Sequence, residues 1–136
     1  MDLALVMDEL AARLATIEGL RVHAQPIGSV TPPAAVVVYP EEVTFDATYG
    51  RGMDRMRLPI VVVVGRPYDR STRDALAGYC AGSGAQSVKA VIESGAYLAF
   101  DAVRVENIDF DVVPIGAIDY MAALFTLDIG GQGDPA

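Results

Sequence analysis

The chain has 136 residues, 52% of them hydrophobic, with a net charge of -8 and a single cysteine. That length suits one domain, and the apolar fraction is enough to bury a core without disulfides or metals. The acidic balance argues against a grip on nucleic acid or on an anionic membrane, both of which need a basic face.

The first seventeen residues have helical period: Leu3, Val6, Leu10, Leu14 and Ile17 share a stripe, with Asp8, Glu9 and Arg13 off it. Asp2 is the expected N-cap and Gly19 the stop. The acids of this segment stand where a signal peptide would carry basic residues, and Cys80 has no partner for an internal disulfide. Both features lead to an expectation of synthesis in a reducing cytoplasm.

Leu20–Ala24 reads as a short strand, followed by a Pro/Gly-rich connector from Gln25 to Pro33. Two β-branched runs come next, Ala34–Tyr39 and Met56–Val64. They are nearly continuous, as expected of strands central in a sheet. Neither approaches the ~20 apolar residues that span a bilayer. Between them Pro40–Arg55 reads as a loop, long for a hairpin connection.

After Val64 the sequence turns helical, with Ser71 as expected N-cap and Asp74 completing a short capping box. Gly82-Ser83-Gly84 ends that helix. A second short one carries Val88, Val91 and Ile92 and stops at Ser94-Gly95. In the last third Val103 and Val105 share one parity, and Ile108, Phe110 and Val112 the other. A regular strand cannot switch faces in this way, so a bulge or bend is expected at Glu106-Asn107. Val113–Gly116 reads as a turn and Ala117–Ile129 as the returning strand of a long hairpin. The expected fold is α+β: an N-terminal helix, a mainly antiparallel sheet of about five strands, and two short helices between strands 3 and 4. It is one domain over residues 1–130, with a flexible tail at 131–136.

No catalytic, cofactor-binding or metal-binding set emerges. His23 is the only histidine, which leaves tetrahedral zinc ligation and histidine-activated nucleophiles without support. Cys80 ends an Ala/Gly-rich segment with no basic neighbour in sequence and reads as a small buried apolar residue. Gly82–Lys89 lacks the glycine before a Lys-Ser/Thr pair and follows a helix, so it reads as a helix–helix turn rather than a phosphate loop. Asp109 and Asp111 share a parity and could meet a hard cation. No glycine-centred calcium loop surrounds them, and a solvated strand face is the better reading.

The segment Thr44–Arg57 stands out. Phe45, Tyr49, Met53 and Met56 are interleaved with Asp46, Arg51, Asp54, Arg55 and Arg57. Aromatic, Met and Arg enrichment is the composition of a protein-binding surface. Phe45, Asp46, Tyr49, Arg51, Met53, Asp54, Arg55 and Arg57 are therefore the expected contact residues, set against an ordinary ordered loop.

The stretches MDLALVMDELAARL, TPPAAVVVYPEEVTFDATYGRGMDRM, LPIVVVVGRPYDRSTRDALAGYC and GSGAQSVKAVIESG together resemble tail terminator, or tail-completion, proteins of actinobacterial long-tailed phages. The resemblance runs from Asp2 to about Gly131, and its most specific part is DATYGRGMDRM with the LPIVVVVGR that follows. The element order also resembles the tail terminator fold of lambda-like phages. The resemblance implies a non-enzymatic virion protein at the head-proximal end of the tail. It would be a homohexameric ring that caps the tail tube, stops polymerisation and offers a head-joining surface. The implied partners are other copies of the chain, the major tail tube protein and head–tail connector proteins, with DNA only passing through the lumen and no membrane or cofactor involved. A head–tail connector or stopper, or a minor tail protein, is the alternative within that fold. A small-ligand binding domain is the alternative outside it.

Overall fold

The computed structural model describes residues 1–24, 31–45 and 53–132. Helix α1 (Leu3–Leu14) is capped by Asp2, whose carboxylate accepts the Leu5 N–H at 3.3 Å. Val6, Met7, Leu10 and Leu14 point into the core. The regular helix ends at Leu14, one turn earlier than the stripe suggested. Ile17 still belongs to the core, because the chain tightens through Thr16 N–H to Arg13 and Ile17 N–H to Leu14 before Gly19 turns it at φ 81.

Strands β1 (Arg21–His23) and β2 (Ala34–Val37) pair in parallel, and β2 is buried throughout. Strand β3 (Glu42–Thr44) lies inside the segment expected to be a loop. Its three residues are all exposed and too few to show a period. They form a strand because they lie antiparallel to Arg55–Arg57 of β4 (Met53–Gly65). Strands β2 and β3 thus share one flank of β4, with a break at Val38–Glu41 between them. Pro59 sits opposite that break. Its carbonyl accepts from Val38 at 3.1 Å, and its missing N–H faces the gap, which makes a proline tolerable in a central strand.

Helix α2 (Arg70–Tyr79) starts at Asp69 rather than Ser71, and no side chain caps it. The expected capping box does not form: Arg66–Asp69 already makes the entering turn, and the Asp74 carboxylate is engaged by Arg73 at 3.1 and 3.2 Å. Helix α3 (Val88–Glu93) is capped by Ser87, whose hydroxyl accepts from Ala90 and donates to the Ala81 carbonyl.

Strands β5 (Ala102–Ile115) and β6 (Ile118–Gln132) form the long hairpin, turned by Gly116 at φ 65; the turn is tighter than the expected Val113–Gly116, because Val113, Pro114 and Ile115 stay paired with Tyr120, Asp119 and Ile118. The register slips between Val105 and Asn107, leaving Glu106 as the extra residue, as the parity switch required. Strand β6 runs on to Gln132, opposite Met53, so residues 131 and 132 are sheet rather than tail; residues 133–136 lie outside the described residues. Gly131 is needed there. A Cβ would come within 2.8 Å of the Met1 sulfur and 3.1 Å of the Phe100 Cα.

The sheet has six strands in the order β1-β2-β4-β6-β5, with β3 beside β4. It is mixed, since β1 and β2 are parallel, and antiparallel elsewhere. The fold is α+β as expected. The two helices follow the fourth strand rather than the third, because β3 adds a strand to the count. One core cluster joins α1, α2 and α3 to the alternate residues Met56, Leu58, Ile60, Val62 and Val64 of β4 and to Ala123, Phe125, Leu127 and Ile129 of β6. That places the helices on one face of the sheet. Among the described residues no helix is long and apolar enough to cross a membrane.

A side chain from each of two helices reaches the strands or loops beside it. The Glu9 carboxylate accepts the Leu98 and Ala99 N–H groups at 2.8–3.1 Å. The Glu93 carboxylate accepts the Val105 N–H on β5 at 2.8 Å and a Lys89 ammonium at 2.7 Å. Desolvation works to raise the Glu93 pKa, but the bonds from Lys89 and Val105 and the charges of Lys89 and Arg104 outweigh it and hold it below 4.5. A depressed carboxylate stabilises the fold above its unfolded pKa, and that contribution is lost as pH falls through the folded value. Glu93→Gln is therefore expected to lose less stability than the native chain between about pH 7 and about pH 3 in urea unfolding. Parallel pH profiles would contradict this.

Candidate interaction surface

The face of the sheet away from the helices carries the odd residues of β4. Its register brings side chains from four strands into one row. Glu42 on β3 is opposite Arg57 on β4, Arg57 is opposite Asp128 on β6, and Asp128 is opposite Arg104 on β5. Charge alternates along the row, which favours each cross-strand pair. The Arg55 guanidinium reaches diagonally to the Asp128 carboxylate, and Arg57 lies 3.9 Å from Glu106. Glu106 reaches that position as the bulge residue of β5. Glu42, Thr44, Arg55, Arg57, Glu106 and Asp128 line a shallow polar depression.

Nearer the other end of the strands the same face is apolar. Ala34 and Val36 of β2, Pro59, Val61 and Val63 of β4, and Ala122 and Leu124 of β6 share it. None of these belongs to the core cluster, yet Ala34, Val36, Val63 and Ala122 are buried, and only Pro59, Val61 and Leu124 are partly exposed.

Of the expected contact residues, Arg55 and Arg57 lie together on this open face. Phe45 follows β3 directly and is 73% exposed, and Met53 is half-buried at the start of β4. Asp54 does not join them: strand parity turns it toward the helix side, where it is 5% exposed and 3.9 Å from the Met1 amino nitrogen. Asp46, Tyr49 and Arg51 lie outside the described residues. Sequence reading missed Glu42, Arg104 and Asp128 as members of the row. Their parity is visible in the sequence, but which strands are neighbours is not.

His23 is half-buried on β1. Cys80 is half-buried against the core, and burial pushes its thiol pKa up, away from nucleophilic use. Gly82–Ser87 joins α2 to α3, as a helix–helix connection should. Among the described residues no group of three or more His, Cys, Asp or Glu is placed to hold a metal ion.

Comparison with protein-family models gave no match, and the search of curated proteins found no relative.

The ion pairs of the open face are substantially exposed, and such pairs contribute little to folding. Arg55→Ala and Arg57→Ala are each expected to lower stability by less than about 1 kcal/mol in denaturant melts. A loss several times larger would make these arginines part of the fold rather than a surface available to a partner.

Proposed function

We propose that the chain is a structural ring protein of a long-tailed phage, a tail terminator. It would sit on the last ring of the tail tube, end polymerisation and present a surface for the head. The observation that carries this reading is the sequence resemblance over residues 2 to about 131, centred on DATYGRGMDRM and LPIVVVVGR. Three physical features support it. The sheet has one face away from the core cluster, bearing a charged row of partly exposed side chains suited to another protein surface. The outer edge of the β5–β6 hairpin leaves Phe110 and Val112 exposed, and its tip, past the end of β4, leaves Ile118 exposed. The chain carries -8, so acids facing a lumen would repel passing DNA and let it slide.

In this reading each copy meets its neighbours through one surface and the tube through another, with Phe45, Arg55 and Arg57 among the contacts. Six copies make the ring. The partners are the major tail tube protein below and head–tail connector proteins above, and no reaction is catalysed.

Electron microscopy of particles assembled with and without the protein tests the assignment. Tails longer than normal in its absence, cut back to uniform length on adding it, are expected. Tails of normal length that fail to join heads would overturn the terminator reading in favour of a connector.

A further inference from the structure

We infer that copies of this chain join edge to edge, β5 of one copy adding antiparallel to β1 of the next. The ring is taken from the function proposed above; the edge pairing is argued from the sheet itself.

Among the described residues the sheet ends in β1 on one side and β5 on the other. Each has a limited stretch open to pairing. On β5 the Val105 N–H is taken by Glu93 and the Val112 N–H by Asp111, both at 2.8 Å, and Pro114 has no N–H. Backbone groups of an edge strand point outward at every second residue. Counting back from Val112, or forward from Val105 through the bulge, gives the same outward residues between the caps: Ile108 and Phe110. On β1 the Arg21 N–H bonds inward to Pro33, which leaves Val22 pointing outward. A three-residue strand therefore meets a slot of matching length, and blocked positions on either side limit longer pairing.

The direction of the strands fits. β1 and β2 run one way, β4 the other, β6 back again, and β5 opposite to β6. Rotation about an axis along the strands preserves direction from copy to copy, so β5 meets the next β1 antiparallel. Such a head-to-tail contact closes into a ring when the rotation allows.

The side chains select the partner and the register. The row Val22–Ala35–Val62–Ala123–Phe110 crosses the whole sheet on the helix side. Its neighbours on the open face are Arg21–Ala34–Val63–Ala122–Asp111 and His23–Val36–Val61–Leu124–Asp109. Each open-face row starts on a basic residue type and ends on an aspartate. Pairing Val22 with Phe110 of the neighbour sets Arg21 opposite Asp111 and His23 opposite Asp109. It also covers Phe110, which is 55% exposed. In the single copy Arg21 bonds the Thr31 carbonyl at 3.3 Å through one of its nitrogens, and Asp109 accepts from Asn107. The remaining guanidinium donors and carboxylate oxygens can serve the interface. Pairing β5 with β5 about Phe110 would instead set Asp109 against Asp111 twice, and opposed like charges destabilise a sheet.

Paired cysteines test the contact in a Cys80→Ala chain. Within one copy positions 21 and 111 stand four strand spacings apart, about 19 Å, so a disulfide between them must join two copies. Arg21→Cys with Asp111→Cys is expected to give covalent multimers up to the ring on oxidation, with neither single cysteine doing so. As a second arm, Arg21→Asp or Asp111→Arg should raise the concentration needed for assembly by roughly tenfold or more, and the double reversal should restore it. Rings that form without this link, or that link only through Arg21→Cys with Asp109→Cys, would overturn the pairing while leaving the ring itself intact. A chain that stays monomeric at every concentration and beside tail tubes would overturn the pairing and the ring together. Linked rings that leave tail length unchanged would uphold the pairing and sink the terminator reading.

Discussion

Pairing between β4 and β6 is the constraint on which the rest of the molecule depends. Eleven pairs, from Met53 opposite Gln132 to Val63 opposite Ala122, hold one register along the centre of the sheet, before it shifts at Gly65. That register decides which residues meet the helices and which are left on the open face. A slip of one residue would carry Leu58, Ile60, Phe125 and Leu127 out of the core and bring Arg55, Arg57 and Asp128 into it. The burial of those apolar side chains therefore holds the charged row in place, although the row itself adds little stability.

Features with a strong local cause were legible in the sequence. The α1 stripe, the two valine-rich strands, the bulge at Glu106 and the turn at Gly116 each follow from period, β-branching or backbone freedom. Features that depend on a neighbour were not. β3 is three exposed residues that become a strand only beside Arg55–Arg57. Ser71 had the chemistry of a cap, but the turn at Arg66–Asp69 had already started the helix. Within the expected contact segment, composition grouped Asp54 with Arg55, whereas strand parity puts them on opposite faces. The alternation of 54, 56 and 58 against 55 and 57 was available, and reading the segment as a loop hid it.

The edges illustrate how such a domain can avoid promiscuous pairing while keeping a specific one. A 14-residue edge strand is a hazard for open-ended association. Here carboxylates from Glu93 and Asp111, an inserted residue at Glu106 and a proline at 114 interrupt it. What stays open is short, flanked by acids and topped by an exposed phenylalanine. Acidity, which opposes close approach of copies at long range, becomes selective at short range in the proposed pairing, because a basic edge is favoured over an acidic one against Asp109 and Asp111.

The proposed contact between β5 and the next copy's β1 is head-to-tail and closes on itself. Native mass spectrometry across a wide range of protein concentration, with and without tail tubes, tests it most directly. One assembly at a fixed multiple of the chain mass, which does not grow further with concentration, is expected. A monomer throughout, or a ladder of sizes that lengthens without limit, would contradict it.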